Sequence, residues 1–301
     1  GSTFTKTNPG TTYSTWQFHN AGTININEGW LEWHRNGTHT GTFNIAANSW
    51  LHLFAGTHSM ASDTPFNGSG NVLINGATVN AAGVLNNNLG GGVELRNGWI
   101  SVNPQLRGSG LWKWTGGGIS GTASLGSGCT MEVSDRPGAA ANKDFYFNTT
   151  FDNYGTFIWQ GGSSVFSNNT SGTALVFNNH SIVRATADGT LWSRQGGATT
   201  TVFNNLPGAR FEKTGGTGTL YWYYWTLNNE TEVAVPTGGL YFYVNRTNLR
   251  EGSAFTGTGT VYLRSDAYLY ASRLHATTDT RFIGVFLSAV GGTRTWAGPG
   301  P

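Results

Sequence analysis

The chain has 301 residues, a formal net charge of +2, 11% charged side chains, 45 glycines and 13% aromatics. Low charge with many aromatics argues against disorder, and scattered Lys and Arg give no basic run for nucleic acid. One cysteine, Cys129, excludes an intramolecular disulfide framework and cysteine-rich zinc sites, and no apolar run is long enough to span a membrane.

Gly1-Ser2 reads as a tag remnant, and residues 1–11 as an N-terminal cap. From Phe18 two segments match, GWLEWHRNGTH and SWLHLFAGTH, with Trp30 and Trp50 at equivalent places. Strand alternation turns Leu31/Trp33 and Leu51/Leu53 inward and Trp30/Glu32/His34 and Trp50/His52/Phe54 outward. Stacked in register, Trp30 would lie beside Trp50, Glu32 beside His52 and His34 beside Phe54. Short Gly- and Asn-bounded strands continue through 66–125, where Trp112 and Trp114 read as internal and Cys129 as a small core residue. Residues near 128–150 break the rhythm and are expected to form a longer loop leaving the array.

Regular units resume at Phe151. A hydrophobic-Asn corner recurs as FDN at Phe151 and as FNN at Phe177 and Phe203, and returns as LNN at Leu227, about 24–26 residues apart. Within these units GTLWSR turns Trp192 and Arg194 outward. GTLYWYY, GGLYFYV and GTVYLR place Leu220/Trp222, Leu240/Phe242 and Val261/Leu263 inside, and Tyr221, Tyr241 and Tyr262 outside. Residues 291–301 read as a C-terminal tail.

Units of about 20–26 residues with two or three short strands each, and no ten-residue amphipathic helix, predict an all-β fold. The expected architecture is a single right-handed parallel β-helix over residues 12–290, of roughly 10–13 coils. Asparagines at equivalent corners would hydrogen-bond along the axis, and asparagine tolerates the left-handed backbone that sharp corners need. The stretches GTININEGWLEWHRNGTHTGTFNIAANSWLHLFAGTH, GLWKWTGGGISGTASLGSG and FNNLPGARFEKTGG resemble the β-strand repeats of large bacterial secreted and surface proteins. The resemblance is to right-handed β-helices of the filamentous-haemagglutinin and pectate-lyase-like kind. Such repeats carry small Thr or Ser where this chain has Trp30, Trp50 and Tyr221. The resemblance implies an extracellular segment of a larger chain, and the isolated chain is expected to be monomeric.

The aromatic departures carry the functional expectation. Trp192, Tyr221, Tyr241 and Tyr262 are expected in one outward row. Tyr223 and Tyr243 form a second, flanked by Arg194 and Arg264; Trp30 and Trp50 form a third site near the other end. Flat rings on a rigid sheet can stack on sugar rings, so the first reading is non-catalytic binding of a polysaccharide or other extended polymer. Two alternatives stand beside it: a β-helix glycoside hydrolase or lyase, and a structural stalk or adhesin whose aromatics only stabilise stacking. Hydrolysis needs two carboxyls roughly 5–9.5 Å apart, with Glu230, Glu232, Glu251 and Asp266 as candidates at one end and Glu28 and Glu32 at the other. The signatures Asn-Thr-Asp, Asp-Asp, Gly-His-Gly and Arg-Ile-Lys are absent. His34, His39, His52 and His58 lie on neighbouring units, but the repeated Gly-Thr-His at 37–39 and 56–58 needs only a corner role. No metal or cofactor is expected.

Overall fold

The computed structural model describes residues 1–136, 142–161, 165–168, 174–193, 200–264, 266–271, 273–283, 287–289 and 295–297. All regular structure among them is β-strand. Among these residues the strands pair in parallel and stack as a β-solenoid of about 12 turns, with no helix. Two compact units divide the chain, Gly1–Asp144 and Phe145–Pro301.

In the first unit, one inward column runs Leu31, Leu51, Val72, Val93, Trp112 and Met131, each directly paired with the next. Each is buried. A second inward column, Phe4, Ile24, Phe43 and Phe66, lies on another strand stack. The alternation arises because successive side chains on a strand leave opposite faces. Burying each large apolar residue contributes about 2 kcal/mol. Pairing starts as early as Thr3–Lys6, which is the first rung.

Strands occupy both ends of the stretch 128–150 that was expected to form a longer loop. Thr130–Val133 pairs with Trp112–Trp114 and buries Met131 and Val133, and Lys143–Asn153 is a strand. Inward Met131 and Val133 keep the alternation despite the charges that follow. Residues 137–141, inside the remaining gap, lie outside the described residues. Cys129 is buried and free, its thiol donating to the Gly108 carbonyl at 3.2 Å.

In the second unit Phe151, Phe177, Phe203, Leu227 and Thr247 form an inward column. Phe151, Phe177 and Phe203 stack at 5.1 and 5.2 Å between ring centres. Two residues on, at the corner, Asn153, Asn179, Asn205 and Asn229 are fully buried. Each amide donates to the next, at 2.9, 2.9 and 2.8 Å. Their spare donors reach the Ile182, Arg210, Glu232 and Thr231 carbonyls. The reason for asparagine is this satisfied ladder and not left-handed backbone. Among the described residues, positive φ occurs at Asn48 and Asn148 but at none of these corners.

Buried lysines organise two turns, which the sequence pattern did not reveal. The Lys6 ammonium donates to the Gly10 and Glu28 carbonyls at 2.9 and 2.6 Å and also to the Asn8 carbonyl. Lys213 donates to Gly215 and Gly216 at 2.8 and 3.1 Å and pairs with Asp188 at 2.9 Å. Each cage is followed on the next coil by a glycine at positive φ, Gly29 and Gly238. A Cβ at Gly238 would lie 2.3 Å from the Gly218 carbonyl oxygen and 2.8 Å from the Lys213 ammonium.

Candidate functional site

In the second unit, the strands Gly189–Ser193, Thr219–Tyr223, Gly239–Tyr243, Thr260–Leu263 and Asp279–Phe282 stack in order. Leu220, Trp222, Leu240, Phe242, Val261 and Leu263 point into the core, as alternation requires. Pairing therefore lines up Tyr221, Tyr241, Tyr262 and Arg281 outside, with Tyr223 beside Tyr243 in a parallel row. The next residue after Leu263 is Arg264, which lies 4.8 Å over the Tyr243 ring. Both rows thus end in an arginine.

Ring centres along the first row are 5.5 Å apart at both steps, with planes tilted by 45° and 31°. Tyr223 and Tyr243 are 5.6 Å apart at 53°. Tilted rings at this spacing leave part of each face uncovered, and Tyr221 is 38% exposed. Burial and the neighbouring phenols push the Tyr223 hydroxyl above the usual tyrosine range. The neighbouring Tyr241 phenol, together with Tyr243 and Tyr223, pushes the Arg264 guanidinium pKa further up. Among the described residues Arg264 has no carboxylate partner, whereas Arg281 is held by Asp279 at 2.6 Å.

Some expected members lie elsewhere. The Trp192 backbone is level with Tyr223, not Tyr221; Thr190 is the residue paired with Tyr221. The two strands are offset by two residues, Gly189 pairing with Leu220, so their Gly-Thr-Leu signatures do not lie level. Arg194 lies outside the described residues. Tyr224 joins the patch unannounced: at φ 66° on the corner, it sets its ring 5.6 Å from Tyr243. Arg281 was missed because TDTRF lacks the Gly-aromatic signature, although counting one further coil from Tyr262 reaches it.

The chain has no match among protein family models, curated proteins or solved structures.

Function must therefore be argued from side chains, and the first unit presents a different surface. Trp30 and Trp50 stack at 4.8 Å and 10°, so their facing surfaces are already occupied by each other. Glu32 bridges two imidazoles, His34 at 2.6 Å and His52 at 2.7 Å. His34 packs on Phe54 at 4.7 Å, as register predicts. His52 was expected to be external but is buried among Trp30, Glu32 and Phe54. That burial lowers its pKa against the opposing pull of Glu32.

Inside the same unit, His39 and His58 form a stacked pair, not corner decoration. His58 donates from Nε2 to the Ala55 carbonyl, leaving Nδ1 to accept from His39 Nε2 at 3.2 Å. Among the described residues His39 Nδ1 has no hydrogen-bond partner. Burial, then the His58 and His19 charges, push the His39 pKa down to about 3. Among the described residues no cluster of three His, Cys, Asp or Glu could hold a metal ion.

The carboxylates weighed for hydrolysis lie off the tyrosine strands. Glu230 pairs with Arg250 at 3.1 Å. Glu232 pairs with Arg210 at 3.2 Å and accepts from the Thr256 hydroxyl. Arg210 also contacts Glu212, which is paired with Arg184 at 2.5 Å. This is an ion-pair lattice on a separate strand stack. Glu251 and Asp266 are exposed at turns.

A further outward row, also missed, is built from amides. Asn178 donates to Asp152, Asn204 to Asn178, Asn228 to Asn204 and Asn248 to Asn228, at 2.9, 2.7, 2.7 and 2.6 Å. The doubled Asn-Asn of each corner was its signal: one amide turns in and the other out. Beyond Asn248 the row continues with Tyr268, over which Arg246 lies at 3.9 Å.

Proposed function

We propose that this chain is a non-catalytic binding module for an extended polysaccharide, engaged along the outward tyrosine rows of its second unit. In this reading it is a right-handed β-helix of the filamentous-haemagglutinin and pectate-lyase-like kind, part of a bacterial secreted or surface protein. The observation that carries the reading is the registered pair of rows, Tyr221–Tyr241–Tyr262 and Tyr223–Tyr243, with Arg264 uncommitted to any carboxylate among the described residues. Tilted, partly exposed rings offer faces to sugar rings, while phenols and guanidinium offer hydrogen bonds to hydroxyls. Rows that repeat with the strand spacing of about 4.8 Å suit a polymer better than a small molecule. Low charge and the Gly-, Asn- and Thr-rich composition support an extracellular setting. Among the described residues no helix is long and apolar enough to cross a membrane.

The test is affinity electrophoresis of the chain through gels containing a panel of polysaccharides, with each polymer also assayed for new reducing ends and unsaturated products. Retardation without product, lost in Tyr221→Ala and Tyr241→Ala, is the expected result. Product release would replace this reading with an enzymatic one. No retardation on any polymer, together with destabilised tyrosine variants, would leave a structural role for the rows.

A further inference from the structure

We propose that the tyrosine rows are also a modification site, where one-electron oxidation couples phenols of adjacent coils into dityrosine and staples the coils covalently. This inference does not depend on polymer binding. Its basis is the density and order of the phenols. Tyr241 lies 5.5 Å from both Tyr221 and Tyr262, and Tyr243 lies 5.6 Å from both Tyr223 and Tyr224. Tyr221 and Tyr223, on one strand, are 5.9 Å apart and nearly parallel at 7°.

The chemistry follows from that spacing. A one-electron oxidant, such as a haem peroxidase using hydrogen peroxide, removes one electron and one proton from each of two phenols. The two phenoxyl radicals form a carbon–carbon bond between ring positions ortho to oxygen. The ring hydrogens then shift to the oxygens and restore both phenols. Two hydrogen atoms leave the protein, and one peroxide becomes two waters. In free solution two short-lived radicals must meet by diffusion. Here each ring is held beside its partner by directly paired backbone positions, which raises the effective concentration of one phenol around the next.

The rest of the chain supplies internal controls. Tyr13 is 62% exposed and Tyr154 44%, so both are open to an oxidant. Their ring neighbours are imidazoles, His34 at 5.9 Å and His180 at 4.3 Å. Exposure alone would favour these two tyrosines, and pre-pairing favours the rows. A staple between coils would also restrict the unfolded chain as a disulfide does, raising resistance to unfolding.

The experiment oxidises the full chain, without polymer, using peroxidase with hydrogen peroxide and, separately, a small photochemical one-electron oxidant that reaches surfaces an enzyme cannot. Dityrosine fluorescence, denaturing gels, intact mass and cross-linked peptide mapping are read together. The expected product stays a single chain and loses two hydrogens per cross-link. Its linked peptides join Tyr221 to Tyr241, Tyr241 to Tyr262 or Tyr223 to Tyr243. The double variant Tyr241→Phe with Tyr243→Phe keeps the rings, checked by circular dichroism, and is expected to lose those peptides. Covalent dimers through Tyr13 or Tyr154, an unchanged peptide map in the double variant, or no coupling by the small oxidant would each overturn the proposal. Loss of polysaccharide binding would leave it standing.

Discussion

At the scale of single residues, the chain hides polar groups inside its coils and satisfies most of them. His39 is one exception, and it has a pH consequence. Its folded pKa of about 3 lies below the ordinary 6.5, so the unfolded chain binds the extra proton. Stability is complete above pH 6.5 and falls as pH drops from 6.5 towards 3, by about 1.4 kcal/mol per pH unit for one site. Burial lowers His58 and His52 too, and both add in the same direction. Thermal melts between pH 7 and 4 are expected to show this slope, and His39→Leu to remove about one proton of it. An unchanged slope in that variant would show that His39 is not the group being charged. Lys213 is the opposite case: fully buried, it neutralises Asp188 and holds a turn by its carbonyls. Burial would raise the Asp188 carboxyl, but Lys213 and the Gly218 N–H hold it below the usual range. Lys213→Met is expected to lower unfolding free energy by about 3 kcal/mol, measured in urea, because carbonyls and a carboxylate lose their partner.

Elements in this molecule are single strands, and their energetics lie between coils. Asn205 sits mid-ladder, giving one side-chain bond to Asn229 and receiving one from Asn179. Asn205→Ala is expected to cost about 3 kcal/mol, read from chemical denaturation, since it strands buried amide groups on both sides. The tyrosine rows are different, because their outward rings carry little of the core. Tyr221→Ala and Tyr241→Ala should each weaken polymer binding about tenfold, or ~1.4 kcal/mol, while changing stability by less than about 1 kcal/mol. Binding titrations and melts on the same samples check both halves. The placement of these rows was legible because GTLYWYY, GGLYFYV and GTVYLR each alternate aliphatic with tyrosine, and alternation is a local property of extended backbone. What was not legible was how far a neighbouring ring would close over each face. Trp30 and Trp50 satisfy the same alternation as the tyrosines, yet their near-parallel contact covers one face of each indole.

Across the whole molecule, stability follows from stacking: each coil is held by the coils on either side. Among the described residues, the first rung of the first unit, Thr3–Lys6 and Thr11–Ser14, pairs with the second alone. Its inward-column Phe4 is 37% exposed, whereas Ile24 and Phe43 beneath it are fully covered. Amide hydrogen exchange is expected to be fast in 3–6, slower in 23–26 and slowest in 42–45, with the gradient read by peptide-resolved mass spectrometry. Equal protection in all three would contradict nearest-neighbour stacking. Residue order alone determined the all-β class, the parallel coil and the inward and outward faces, because a two-residue alternation and a recurrent corner are short-range signals. Only the tertiary structure decided which residue of one coil meets which of the next. Register depends on how many residues each turn absorbs, so Trp192 arrives level with Tyr223, Arg281 extends the tyrosine row, and Lys213 meets the carbonyls it holds.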